Sequence, residues 1–169
     1  PEGIDDEESA TYSGYVSAGG TDSLKDWRRE NVNELIRRTY AAVKQLRPDC
    51  LFGVSPRGIW RNSSTDKNGS ATSGSQAYDD VYCDALAWIN EGCVDYISPQ
   101  IYWSFENTAA PFRVLCDWWN EQLKGKDISL VVSLAAYYLP ESEIEAQKSY
   151  LGTLTSYGGF ALYSYSSVS

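Results

Sequence analysis

The chain has 169 residues, 43% of them hydrophobic, a size and composition that suit a single domain spanning 1–169 with a sizeable core. A formal net charge of -9 and a pI near 4.5 leave no cationic field for a phosphate backbone, so no nucleic-acid partner is expected. The chain has no histidine, which excludes Ser-His-Asp and Cys-His machinery and any His-rich metal site, and no apolar run approaches the ~20 residues that cross a bilayer.

Residues 1–22, PEGIDDEESATYSGYVSAGGTD, are acidic and rich in Gly and Ser without a sustained period, which predicts a loop. This stretch also lacks the basic and apolar parts of a signal peptide. Residues 23–169 predict a helix, three strand-helix units and a final strand. In the first helix Trp27, Val32, Leu35, Ile36, Tyr40, Val43 and Leu46 recur at helical spacing, with Ser23 as cap and Pro48 as stop. Four apolar runs of strand length follow: CLFGVSP, VDYISPQIYW, ISLVVSLAAYYL and GFALYSYSS. After the first run comes a polar loop, 62–77, and then YDDVYCDALAWINEG, in which Asp79 or Asp80 suits a helix cap and Gly92 a stop. AAPFRVLCDWWNEQLKGK and PESEIEAQKSYLGTLTSYGG supply the next two helices.

Strands that alternate with helices require a parallel sheet, either doubly wound or part of a barrel. A barrel is favoured, because no glycine-rich phosphate fingerprint follows any strand and the strands end in polar or aromatic residues. Four strands are half of the eight that close such a barrel. The opening helix has no strand before it and the last strand no helix after it, so the chain is expected to be cut from something larger, with two open sheet edges prone to self-association.

Cys50, Cys83, Cys93 and Cys116 form no CxxC pair or zinc-like spacing and read as small buried hydrophobes. Cys50 and Cys93, each at the start of a predicted strand, could instead bridge. No metal or other cofactor is expected. Trp27, Trp88, Trp118 and Trp119 lie on predicted helices and read as packing residues.

Glycoside cleavage usually needs two carboxyl groups across the scissile bond. The strand ends supply none. The nearest acids are Glu106, which otherwise reads as a solvated loop residue, the Asp5–Glu8 cluster, and Asp79 with Asp80. What the strand ends do supply is sugar-holding chemistry, aromatic faces beside hydrogen-bonding side chains. Trp60, Arg61 and Asn62 follow the first strand, and Gln100, Tyr102 and Trp103 close the second. Period-two alternation places Ser98, Gln100 and Tyr102 on the face toward the barrel axis, with Ile97, Pro99 and Ile101 behind. Arg57 shares a face with Gly53 and Ser55, where its guanidinium could take a carboxylate or a sugar hydroxyl. Trp60 and Trp103 could equally be lids over the barrel core, and Arg57 an ion-pair partner. Tyr137 joins the candidate set, although Tyr137, Tyr138, Tyr163 and Tyr165 read more readily as packing.

The stretches DWRRENVNELIRRTY, FGVSPRGIWRN, YDDVYCDALAWINEGCVDYISPQIYWS and GFALYSYSS resemble successive blocks of the glycosyl-hydrolase-like family 10. The resemblance implies a TIM (β/α)8 barrel in which the four runs are strands five to eight, so that the chain is an α/β, parallel (β/α) half barrel. It implies too that an Asp-Asp-Tyr-Phe-Tyr-Pro-like segment closes strand four, with Pro1 as its last residue and the catalytic carboxylates upstream. Kinship further implies a carbohydrate partner in a bacterial polysaccharide, with peptidoglycan glycan strands as one candidate, and an extracytoplasmic location. A barrel that binds glycan without cutting it, or an inactive fragment, are the alternative readings.

Overall fold

A computed structural model describes residues 6–164 and 166. Helix α1 (Asp6–Ser17) leads into α2 (Leu24–Leu46), and β1 (Gly53–Val54), α3 (Ala77–Asp80), α4 (Ala85–Glu91) and β2 (Tyr96–Ile97) follow. Helix α5 (Phe112–Gln122), β3 (Ser129–Leu134), α6 (Glu141–Leu151) and β4 (Tyr157–Leu162) complete the order. The four strands form one sheet in the order β1-β2-β3-β4, every neighbour parallel. A doubly wound sheet reverses its strand order at a switch point, whereas a barrel adds each strand beside the last. The observed order is sequential, which makes this α/β sheet a half barrel.

Alternation along the strands divides the sheet. Ile97, Ile101, Leu130, Val132 and Leu134 are buried with Trp88, Leu115, Trp119, Ile144 and Leu151 of α4, α5 and α6. On the other face, small and polar residues including Gly53, Ser55, Ser98, Ser129, Ser133 and Ala161 line an open hollow of about 680 Å³. Helix α5 packs on β3, α6 on β4, and α2 on α4. The α2–α4 contact includes a buried Asn33, which accepts a hydrogen bond from the Trp88 indole at 2.8 Å, and Arg37, which ion-pairs with Glu30 and Glu34 of α2 and with Glu91 of α4.

Three local expectations are corrected. Residues 6–17 form a helix where a loop is predicted; the segment has no apolar stripe to announce it, but Tyr12 and Tyr15 lie one turn apart and both meet the Trp27 ring, at 5.3 and 6.2 Å. The cap of α4 is Asp84, whose carboxylate accepts from the Ala87 amide; Asp79 and Asp80 belong to the single turn α3. Gly92 does end α4, in the left-handed region at φ 67°. All four cysteines are free thiols, and Cys50 is exposed while Cys93 and Cys116 are buried. Burial pushes the Cys83 thiol up to about 12.

Candidate functional site

Past the paired strands the chains stay in register for one more step. Arg57 bridges in parallel to Gln100, and Gln100 to Ser133. The alternation of side chains therefore brings Ser55, Gln100, Tyr102, Ser133 and Tyr163 around a cleft of about 400 Å³ at the C-terminal rim of the sheet. Behind its polar wall the Ser98 and Ser133 hydroxyls are 2.9 Å apart, and the Gln100 amide donates to the Ser55 carbonyl at 3.1 Å. Arg57 is exposed at this rim and donates to the Ser75 hydroxyl at 2.7 Å; Ser75 in turn donates to Asp80 at 2.6 Å. The Ser75 hydroxyl first, then the Gln76 amide, hold the Asp80 carboxyl below its usual range; partial burial opposes them and the Arg57 charge adds to them.

Aromatic residues crown the cleft. The Tyr102 ring stacks on Tyr163, with centroids 5.7 Å apart and 23° between planes, and meets Tyr137 edge-on at 6.2 Å. Tyr137, Tyr138 and Tyr163 are 53, 53 and 56% exposed. Burial, then the neighbouring Tyr163 and Tyr137, raise the Tyr102 phenol above its usual value. Trp103 is half-buried and passes over Gly58, where a Cβ would sit 2.6 Å from the Gln100 carbonyl oxygen and 2.9 Å from the Trp103 ring. Only glycine permits that approach.

Arg57, Gln100, Tyr102, Trp103 and Tyr137 thus lie at one end of the sheet. Trp60, Arg61 and Asn62 do not join them. Trp60 is buried, donates its indole N–H to Asp84 at 3.1 Å and stacks on Trp118 at 6.0 Å. Arg61 is ion-paired to Asp66 and Asp79 at 2.8 and 2.9 Å and covers the Tyr78 ring. Asn62 is buried, donates its side-chain amide to the Gly74 carbonyl and accepts from the Thr72 hydroxyl. These three hold the 62–77 loop shut, and their burial and engaged polar groups withdraw them from the cleft.

Glu106 lies exposed in the loop after β2. Asp5 and Tyr165 lie outside the described residues, as do the side chains of Asp6, Glu7 and Glu8. From the sequence, Ser55 shares the face of Arg57, Tyr138 and Tyr163 read as packing and Asp80 as a cap or nearby acid, while Ser133 and Ser75 carry no signal of a role. A strand-by-strand count could have placed Ser133 on the same inner face as Ser55, but nothing local marks Ser75. Among the described residues no three Cys, Asp or Glu side chains are grouped to hold a metal, and no helix is long and apolar enough to cross a membrane.

Residues 2–152 match the family model described as Glycosyl hydrolase-like 10. The chain belongs to that family. It is 46% identical over 116 residues to glycosyl hydrolase YngK of Bacillus subtilis (strain 168), a match covering 68% of this chain and 23% of the relative. It is 42% identical over 139 residues to glycosyl hydrolase DigH of Escherichia coli (strain K12), covering 82% of this chain and 31% of the relative. The chain spans less than a third of the length of either relative. Within the family match fall β1, β2, β3 and the rim residues Arg57, Gln100, Tyr102, Trp103 and Tyr137, whereas β4 and Tyr163 lie beyond it.

Proposed function

We propose that this chain forms one wall of the saccharide cleft of a glycoside hydrolase barrel acting on a bacterial polysaccharide outside the cytoplasm, with the glycan strands of peptidoglycan as the leading substrate. The observation that carries the reading is the rim itself, where hydrogen-bonding Arg57 and Gln100 stand beside half-exposed tyrosines on the C-terminal ends of parallel strands. Barrel enzymes build their sites at that end. Pyranose rings offer C–H faces to aromatic planes and hydroxyls to guanidinium and amide groups, and this wall presents both.

The reaction requires one carboxylic acid to protonate the leaving oxygen and one carboxylate to attack or to activate water. Most carboxylates near the described rim are already engaged: Asp66 and Asp79 with Arg61, Asp80 with Ser75, Asp84 with the α4 cap, and Glu143 with the Phe105 amide. We therefore assign the proton-transfer pair to the other half of the barrel, whose strands would also pair with the outer strands β1 and β4. Copies of the chain lacking that half would associate through the same edges.

The test is to incubate the full-length protein with glycan strands purified from peptidoglycan and to measure release of reducing ends. Wild type should release them, and Trp103→Ala should weaken both binding and release. Binding without release would favour a glycan-gripping barrel instead, and undiminished binding by W103A would remove the proposed cleft.

A further inference from the structure

The segment that carries Tyr102 and Trp103 is held at every backbone position from 102 to 105. The Tyr138 hydroxyl donates to the Tyr102 carbonyl, and the Gln147 side-chain amide donates to the Trp103 carbonyl at 3.0 Å. The Ser104 carbonyl accepts from the Phe112 amide at 3.1 Å, and the Phe105 amide donates to Glu143 at 2.8 Å. Two of these clamps, Glu143 and Gln147, stand one turn apart on α6, and the Gln147 amide also donates to Glu143 at 3.3 Å.

Gln147 is fully buried, and its side-chain oxygen has no hydrogen-bond partner among the described residues. A buried amide with an idle acceptor lowers stability, and an apolar side chain of similar length would fill the space without that cost. Packing therefore does not account for a glutamine here; the bond to the Trp103 carbonyl does. Ligand walls that are fixed before binding avoid the ordering cost of fixing them afterwards.

We infer that Gln147, seconded by Glu143, is a positioning residue that presents Tyr102 and Trp103 to the saccharide from behind the cleft, without touching it. The inference rests on the cleft proposed above. Substituting Gln147→Met keeps length and apolar volume while deleting the donor. Amide hydrogen exchange across residues 102–107 should accelerate about tenfold in Q147M, and affinity for soluble peptidoglycan glycan strands should fall about tenfold, with the melting temperature within ~2 °C of wild type.

In the W103A background Q147M should cause no further loss of affinity, because the two changes act on one element. Unchanged exchange overturns the positioning role whatever the glycan result, and affinity losses that add overturn it as well. Accelerated exchange together with wild-type affinity in W103A would sink the cleft reading, and this inference with it. If Q147M does not fold, Glu143→Ala at the half-buried helix position carries the same expectations, and unchanged exchange there overturns the inference.

Discussion

Two rim loops of this sheet carry nearly the same residue types and put them to opposite uses. After β1, Trp60, Arg61 and Asn62 turn inward, and their polar atoms are taken by Asp84, Asp66, Asp79, Gly74 and Thr72. After β2, Gln100, Tyr102 and Trp103 stay partly exposed at the rim, and the backbone of 102, 103 and 105 is held from behind by Tyr138, Gln147 and Glu143. A tryptophan, an arginine or an amide does not by itself mark a sugar site. What matters is whether its face and donors have already found partners within the protein.

The largest effect that could break this contrast is at Trp60. Trp60→Ala should destabilise the fold by about 3–5 kcal/mol, read by chemical denaturation, with glycan affinity of the folded protein unchanged within about twofold. A stable W60A that has lost glycan would return Trp60 to the cleft. Arg61→Met leaves Asp66 and Asp79 without their cation; because all three side chains keep 20–30% exposure, the loss should be about 1–2 kcal/mol by the same measurement.

On the other side, Tyr163→Ala should weaken binding of glycan strands by about fivefold, or ~1 kcal/mol by calorimetry, and change stability by less than ~0.5 kcal/mol. The smallest effect belongs to Asp80, which ends α3 and accepts from the Ser75 hydroxyl and the Gln76 amide of the loop after β1. Its carboxyl titrates below the ordinary 3.8. Its contribution is therefore complete above that ordinary value and lost as pH falls through the lower folded-state value. Asp80→Asn should melt about 1–2 °C below wild type at pH 7, and the difference should shrink toward zero near pH 3; a gap that widens on acidification would reverse the assignment.

Much of the fold was legible because its signals are local. The helix from Trp27 to Leu46, the four apolar runs and the alternation that turns Ser98 and Gln100 away from Ile97 and Ile101 all act over a few residues and are kept by the structure, although Leu35 and Leu46 of the helix face outward. Helix α1 escaped notice because its support comes from Trp27, across a turn. Asp79 and Asp80 looked like caps because cap chemistry is common to several acids, and only the chain path selects Asp84.

The tyrosines posed the opposite problem. Tyr137, Tyr138 and Tyr163 resemble packing residues by position, but although they touch Tyr102 and one another, each keeps more than half of its surface exposed.

Sequence alone determined the alternation of strands and helices from α2 onward, the parallel sheet with its inner and outer faces, and the kinship that names the family, since period and motif are properties of neighbouring residues. Tertiary structure decided which rim side chains remain available to a ligand. Availability is set by partners far along the chain: Asp84 for Trp60, Asp79 for Arg61, Gln147 for the backbone of Trp103. Burial and hydrogen-bond saturation arise only when those distant segments meet, and no local pattern encodes which of them will.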